Sequence, residues 1–253
     1  NDGGFKDQIS TIMTQEKDIS FKADDDSNHS IWKIKDRKLI NTISAYFQTV
    51  ECLYIADGHH RAASASRIQK NRYENNPGHN GDESYNYFLA TIFPHDEVQI
   101  MGYNRIVKDL GGLTEEQFFN ALYLKFEIQK LLRQEGPKER FTFTMYLDQK
   151  WYSLRAKREI ITEDSVRGLD ASILQEHVLS PILNIRDSRT DNRIDFVGGI
   201  RGLDELERRC ELDAKIAFAL YPVSINDLLN VSDDGKVMPP KSTWFEPKLR
   251  SGL

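Results

Sequence analysis

Residues 54–63 read Tyr-Ile-Ala-Asp-Gly-His-His-Arg-Ala-Ala and predict a strand, a turn and a helix in direct succession. The apolar run at 53–56 is typical of a buried strand, and the Ala-rich stretch 58–72 is typical of a helix. Asp57 would end the strand, and Gly58 would carry the turn. Polar side chains therefore collect where a strand meets the first turn of a helix.

The first turn of this predicted helix suits an anion. Its unpaired N–H groups and its dipole attract negative charge, and Arg61 adds a forked donor that matches phosphate. Gly58 lets a ligand approach the backbone, and Asp57 is a candidate to hold Mg²⁺ or to accept a hydroxyl proton. His59 and His60 are candidates for phosphate contact or proton transfer. The alternative is that the carboxylate only caps the helix and the histidines are solvated.

A second Gly-Arg segment, residues 195–202, reads Asp-Phe-Val-Gly-Gly-Ile-Arg-Gly. Gly198, Gly199 and Arg201 are candidates for another anion contact at the start of the following helix. The alternative is a tight turn whose glycines need positive φ, with Arg201 paired to Glu205 four positions later. Both interpretations stay open, and neither Gly-containing segment has the spacing of a P-loop.

Residues 236–250, the C-terminal strap, predict an extended segment because two consecutive prolines forbid regular structure. Lys241 is a candidate phosphate contact, and Trp244 offers a stacking face. Packing onto the core is the favoured role of Trp244 and Phe245. For Lys241 and Arg250, a site role and a surface role stay equally open.

Arg105 and Lys108 are flanked by apolar residues and are further candidates to face a phosphate. Salt bridging to Asp109 or to other carboxylates is the more common arrangement for such side chains. The sequence contains no Ser-His-Asp arrangement and no nucleophile elbow.

Strand-like and helix-like patterns alternate along the chain and predict an α+β fold. The predicted strands are 30–34, 53–56, 87–93, 141–147, 151–156, 194–197 and 216–221, with a hairpin between the fourth and fifth. The predicted helices are 36–47, 58–72, 114–124, 170–179, 203–212 and 224–229. We expect two lobes that meet near residue 110, covering 1–110 and 111–253.

The composition narrows the class of protein. The 253 residues carry a net charge of −5, with 39% hydrophobic and 29% charged residues, so a sizeable core is expected and disorder is not. No apolar run approaches the ~20 residues that span a bilayer, and no strong basic patch indicates a nucleic-acid partner. Cys52 and Cys210 form no disulfide or metal pattern, which predicts buried thiols in a reducing cytoplasm.

The ends of the sequence suggest a piece of a longer protein. The chain begins Asn-Asp-Gly-Gly without an initiator Met or a signal-peptide pattern, and it stops without a tapering polar tail.

Residues 54–61 resemble the signature of a family of bacterial and archaeal conserved proteins that form a domain of unknown function. The likeness extends through residues 93–96, 103–109, 193–202 and 238–252. Members of that family are typically longer at the N-terminus, which agrees with the expectation of a missing N-terminal part.

The strand–Gly–x–x–Arg–helix element is also similar to the phosphate-contacting motif of the ParB and sulfiredoxin superfamily, which includes kinases of free serine. This resemblance implies that residues 1–110 are the C-terminal part of a ParB-like nucleotide-binding lobe. It places Gly58 and Arg61 against the phosphates of ATP or ADP and implies Mg²⁺ as a cofactor. Sulfiredoxins need a cysteine where this chain has His59, so that activity is excluded.

Together with the polar residues at 57–61, this resemblance predicts a nucleotide-dependent phosphotransferase whose acceptor is a small hydroxyl compound. The likeness to kinases of free serine implies serine or a similar amino acid as that acceptor. Asp57 and His60 would be catalytic, Asp57 would hold Mg²⁺, and the partners would be a nucleotide and a small molecule. The alternatives are a ParB-like regulatory module that binds nucleotide without turnover, and a scaffold with a vestigial site.

Overall fold

The computed structural model describes residues 3–24 and 26–248, with the backbone alone at 3–5. The chain forms two compact units, which divide between residues 55 and 56. The first unit consists of α1 (Gly3–Met13), β1 (Ile19–Lys22), β2 (Asn28–Ile31) and α2 (Arg37–Phe47). β1 and β2 form an antiparallel hairpin in which Ile19 lies opposite Ile31.

The second unit has an α+β fold, as predicted. It begins with α3 (His59–Glu74), β3 (Gln99–Met101), β4 (Tyr103–Val107), α4 (Glu115–Tyr123), β5 (Phe126–Lys130), β6 (Thr142–Leu147) and β7 (Lys150–Ala156). It continues with α5 (Asp170–Leu174), β8 (Ile194–Gly198), α6 (Asp204–Leu212), β9 (Ile216–Leu220), α7 (Ile225–Asp233) and β10 (Trp244–Glu246).

An antiparallel six-stranded sheet organises this unit. Its strand order is β5-β7-β6-β9-β4-β8, and β10 pairs with β3 in a separate two-stranded sheet. Because side chains alternate along a strand, β4 sends Val107 to one face and Ile106 to the other. On the first face Val107 packs with Phe118 of α4, and on the second face Ile106 packs with Leu206 of α6.

Local sequence explains where several helices begin. Thr114 and Gln117 form a capping box at α4: the Gln117 N–H donates to Thr114 Oγ1, and the Thr114 N–H donates to Gln117 Oε1. Asp36 accepts two backbone N–H bonds at the start of α2, and Ser224 caps α7. The helices predicted at 36–47, 114–124, 203–212 and 224–229 are confirmed, although α7 continues to Asp233.

The predicted hairpin at 141–156 is also confirmed, with β6 and β7 joined at Asp148 and Gln149. Both residues have positive φ, 48° and 56°, which is the backbone of a turn that matches strand twist. The strands predicted at 194–197 and 216–221 are β8 and β9, and the strand predicted at 30–34 occurs earlier, at β2.

Two predicted buried strands, 53–56 and 87–93, are wrong. Neither stretch is a strand, and both are exposed: the exposed fraction is 58% at Leu53 and 91% at Leu89. A strand requires hydrogen bonds to a neighbour, and no described strand pairs with either stretch. Cys52 is exposed as well, contrary to expectation, while Cys210 is half-buried and burial raises the pKa of its thiol to about 12.

The helix predicted at 170–179 is present, but no polar side chain caps its first turn. Leu169 occupies the capping position, so Asp170 lies inside α5, and the helix widens into a π-helical turn at Gln175–Leu179. The Asp170 carboxylate is buried and accepts the Phe141 N–H at 2.9 Å, so it joins α5 to the start of the β6 hairpin instead of capping the helix.

The division between compact units does not coincide with the lobe boundary predicted near residue 110. β4, at Tyr103–Val107, pairs with β8 and β9, so the main sheet draws strands from both sides of residue 110. The assignment of residues 1–110 to a nucleotide-binding lobe and of 111–253 to an α+β lobe stays a prediction. Over the described ranges, no helix has the length and apolarity that a membrane crossing requires.

Candidate functional site

α3 begins at a glycine in the left-handed conformation. Gly58 has φ 84° and ψ 25°, occupies the N-cap position of this 16-residue helix and supplies no side-chain cap. The N–H groups of the first turn are therefore left without the usual side-chain acceptor. No residue of α3 is buried, so this helix start is accessible to a ligand.

The Arg61 guanidinium folds back over Gly58. A Cβ at position 58 would lie 3.1 Å from Nη2 and 3.4 Å from Nε of Arg61. Glycine therefore serves two purposes here, since it tolerates positive φ and leaves room for the guanidinium. The result is a helix N-terminus with a forked cation beside it, which we call the α3 cradle (residues 57–61).

Asp57 is held in its charged form at the edge of this cradle. Its Oδ1 accepts the Gly58 N–H at 2.8 Å, and its Oδ2 lies 3.3 Å from Nζ of Lys248. Partial burial raises the pKa of Asp57, but the Gly58 N–H, Lys248 and Arg61 outweigh that effect, so the net pKa lies below its ordinary value. A carboxylate with a lowered pKa is a weak proton acceptor and a better cation ligand.

His59 and His60 occupy the first two positions of α3, and both are exposed. Neighbouring helix positions point about 100° apart, so the two rings diverge. Across residues 3–24 and 26–248, no three His, Cys, Asp or Glu side chains gather closely enough to hold a metal ion. A Mg²⁺ at the cradle would therefore need ligand phosphate oxygens in addition to Asp57, which is the way Mg²⁺ commonly binds with nucleotides.

The second Gly-Arg segment is shaped by close packing. Gly198 and Gly199 do not have positive φ, so that part of the tight-turn interpretation is wrong; Gly202 does, at φ 73°. A Cβ at position 198 would collide with the indole ring of Trp244, and one at 199 would lie 2.7 Å from the Gly102 carbonyl oxygen. The Gly199 N–H donates to that same oxygen at 2.8 Å.

Arg201 lies on the surface and pairs with Glu205, at 3.6 Å between Nη1 and Oε1. This is the i,i+4 ion pair that the alternative interpretation predicted. The role of Gly198, Gly199 and Arg201 as an anion contact stays a prediction.

The C-terminal strap contains a short strand where none was expected. β10 pairs with β3, and Phe245 is buried at 7% exposure, which confirms its packing role. Trp244 contacts Tyr103 edge-on, with ring centroids 5.3 Å apart. Lys241 is exposed, and its Nζ lies 5.4 Å from the centroid of the Tyr103 ring. Arg250 lies outside the described residues.

The strap connects the two Gly-Arg segments. Lys248 binds Asp57 through its ammonium group, and the same ammonium lies 5.2 Å from the centroid of the Trp244 ring. Trp244 in turn packs on Gly198. Contacts within the second unit thus join the α3 cradle to the segment at 195–202 through two strap residues.

Comparison with known proteins identifies the family. Residues 1–172 match the family described as "Protein of unknown function (DUF1015)". The chain belongs to this family. The matched region includes the α3 cradle and ends before the segment at 195–202 and the strap, and no curated protein matches the sequence.

Several solved structures show a distant likeness to this DUF1015 member. A mutant free serine kinase in complex with AMP is 14% identical with a TM-score of 0.41, covering 76% of this chain and 66% of that chain. Free serine kinase in complex with AMP is 13% identical with a TM-score of 0.41, covering 84% and 81%. A conserved hypothetical protein from Pyrococcus furiosus is 14% identical with a TM-score of 0.39, covering 84% of both chains. This chain thus spans just under two thirds of the first of these proteins.

The pairing of Lys248 with Asp57 was not predicted from the sequence, and the salt bridge expected for Arg105 is absent among the described residues of this DUF1015 member. Arg105 is buried and forms no salt bridge with Asp109, which instead contacts Arg193 at 3.4 Å. Lys108, three positions later, is exposed. The only sequence signal for the buried guanidinium was that apolar residues flank Arg105 in 103–107. This pattern did not distinguish a buried arginine from an exposed one.

Proposed function

We propose that this protein is a nucleotide-dependent phosphotransferase whose acceptor is a small hydroxyl compound, with the nucleotide phosphates at the α3 cradle. The observation that carries the proposal is the Arg61 guanidinium folded over left-handed Gly58 at an uncapped helix start. Helix N–H groups, the helix dipole and a forked cation all favour a phosphate there.

Phosphoryl transfer demands positioning and charge neutralisation more than covalent chemistry from the protein. Gly58, His59 and Arg61 would hold phosphate oxygens, and Asp57 would contribute one carboxylate ligand to a nucleotide-bound Mg²⁺. That ion would neutralise charge on the transferring group. Because its pKa is lowered, Asp57 would orient the acceptor hydroxyl rather than remove its proton. His60 is the candidate to assist proton transfer, and ATP or ADP is the proposed nucleotide.

The remaining predicted site residues belong to the same proposal. Gly198, Gly199 and Arg201 would form a second anion contact, and Lys241 would add positive charge from the strap. The contact series through Lys248 and Trp244 supports a functional connection between the strap and the cradle.

A second candidate is a module that binds nucleotide without turnover. The observation that favours it is the ion pair between Asp57 and Lys248, because a carboxylate neutralised by a lysine is less available to a metal or a hydroxyl. Binding and turnover are therefore measured separately.

The binding experiment follows thermal unfolding of the full chain with ATP, ADP, CTP or GTP and Mg²⁺. A nucleotide at 100 times its Kd should raise the free energy of unfolding by about 2.7 kcal/mol. Arg61→Met should remove most of this stabilisation. Arg67→Met, an exposed arginine later in the same helix, should retain it. No response to any nucleotide, or equal responses of the two variants, would contradict binding at the cradle.

The turnover experiment measures transfer of labelled phosphate to a panel of hydroxyl compounds, including serine. Asp57→Asn should keep nucleotide binding and lose most of the transfer. Binding with no transfer in the wild-type protein would favour the regulatory module instead.

A further inference from the structure

Arg105 is a buried cation that has no counter-ion among the described residues. It lies in the middle of β4 with 3% exposure, and no described carboxylate lies within ion-pair distance of its guanidinium. Burial lowers the pKa of Arg105 to about 10, which still leaves it protonated at neutral pH. An isolated charge in a protein interior is costly unless an opposite charge accompanies it. Within the part of the chain that the structure describes, the main sheet therefore contains a positive charge that no carboxylate balances.

The contacts that the described residues make with Arg105 are to neutral groups. Its guanidinium lies 5.3 Å from the centroid of the Phe196 ring, and Nη1 donates to the Tyr103 carbonyl of its own strand. Nη2 reaches the Pro240 carbonyl of the strap only at 3.5 Å, the outer limit of a hydrogen bond. A guanidinium has five N–H donors in a fixed planar fork, so these two carbonyls use only part of its capacity.

The strap brings a second cation to the same place. Lys241 follows Pro240 and stands over the ring of Tyr103, the residue whose carbonyl accepts from Arg105. Lys241 has φ 57°, an uncommon backbone for a residue with a side chain, and no described carboxylate pairs with it. The turn is held by Ser242, which is buried and whose hydroxyl donates to the Pro239 carbonyl at 2.7 Å. Two cations thus lie where the strap crosses β4, one on the Pro240 carbonyl and the other on the next residue, and within the described ranges neither has a carboxylate partner.

We propose that Arg105 and Lys241 form a binding site for a small carboxylate anion, which takes the place of the Pro240 carbonyl on the Arg105 fork. The two oxygens of a carboxylate match the edge of a guanidinium in one plane. Because the Phe196 ring occupies one side of the guanidinium, a ligand is expected to bind at the N–H edge. A hydroxy acid or an amino acid is the chemical class that fits. The site lies outside the α3 cradle and shares only Lys241 with the proposed function, and its test needs no nucleotide.

The competing explanation is structural: Phe196 and two carbonyls hold Arg105 in place, and no ligand ever binds. The two explanations differ in how stability responds to anions. A structural arginine gives no saturable response, whereas a ligand site responds to carboxylates at concentrations where chloride of equal ionic strength has no effect.

The experiment titrates the full chain with acetate, D-glycerate and L-serine, with sodium chloride and inorganic phosphate as matched arms, and follows thermal unfolding and calorimetric binding. We expect saturable binding of at least one carboxylate. Lys241→Met, a change at an exposed residue, should weaken it by about tenfold or more, and Arg105→Met should abolish it. Lys108→Met changes an exposed cation directly after the same strand, and this variant should bind as the wild type does.

The result does not depend on whether Arg105→Met folds, because the Lys241 variant and the ligand series test the site in other ways. Glycerol, which lacks the carboxylate of glycerate, should not bind. Equal affinity in the wild type and Lys241→Met, no response beyond that of chloride, or a preference for inorganic phosphate over every carboxylate would each overturn the proposal.

Discussion

The carboxylate of Asp57 and the ammonium of Lys248 lie 3.3 Å apart, although 191 positions separate them in the sequence. This ion pair links the start of α3 to the C-terminal strap. Both side chains are substantially exposed, at 67% and 44%, so the pair contributes less than about 1 kcal/mol to stability. Its main effect is on Asp57, because the nearby ammonium helps to keep the pKa of this carboxyl below its ordinary value.

Lys248→Met should raise the pKa of Asp57 towards its ordinary value, because the variant loses a cation that stabilises the carboxylate. A pH titration of the Asp57 carboxyl carbon by NMR measures this shift directly. At pH values above about 4, the pKa of an unfolded Asp, the lowered pKa of Asp57 stabilises the folded protein. That contribution is lost as the pH falls through the folded-state pKa. Lys241→Met, in the same strap, is the control, and an unchanged Asp57 titration in Lys248→Met would refute the pairing.

Gly198→Ala should destabilise the protein by about 1–3 kcal/mol or more, because the added Cβ collides with the Trp244 ring. Gly78→Ala is the matched control: its nearest neighbour would be 3.6 Å away, so little change is expected. The free energy of unfolding in urea measures both. Combining Gly198→Ala with Trp244→Ala should cost less than the sum of the single changes, and strict additivity would show that the two residues do not meet.

Asp170 should make stability fall as the pH rises. Burial raises its pKa to about 7, although the Phe141 N–H and Arg140 act in the opposite direction. The unfolded chain releases this proton near pH 4, so between about pH 4 and 7 the folded state binds more protons and the free energy of unfolding decreases with pH. Asp170→Asn, neutral at every pH, should be more stable than the wild type at pH 8 by up to about 4 kcal/mol.

The control for Asp170 is Asp187→Asn. Arg189 lowers the pKa of Asp187 to about 2, so the Asp187 contribution has the opposite sign: it is present above about pH 4 and is lost as the pH falls towards 2. Urea unfolding across pH 3–8 separates the two. If the free energy of unfolding of Asp170→Asn still decreases between about pH 4 and 7, other groups cause that decrease.

Thr114→Ala should cost about 1 kcal/mol of stability, because it removes the side-chain acceptor for the Gln117 N–H at the start of α4. Thr91→Ala changes an exposed threonine outside any helix or strand and should have almost no effect. Hydrogen exchange of the first amides of α4 should quicken in the first variant alone. Unchanged exchange would show that the cap is dispensable.

Patterns within a few residues predicted much of this fold. The capping box at Thr114, the capping Asp36 and the alternating apolar residues of the β6–β7 hairpin act over one turn or one strand, so they are visible in the sequence. The Asp-Gly-His-His-Arg segment at the start of α3 was visible for the same reason, because a positive-φ glycine and an arginine three positions later are neighbours in the chain as well as in space.

Long-range contacts decided the rest. The stretches 53–56 and 87–93 are as apolar as real strands, but pairing with a neighbour makes a strand, and no described strand pairs with them. Gly198 needed to be a glycine because Trp244 packs on it, 46 positions later in the sequence, and not because of its own φ. Arg105 gave no sign that it would be buried without an acid, and Lys248 gave no sign that it would reach Asp57. Local propensity is encoded in neighbouring residues, whereas burial and charge pairing depend on which distant segments the sheet and the strap bring together.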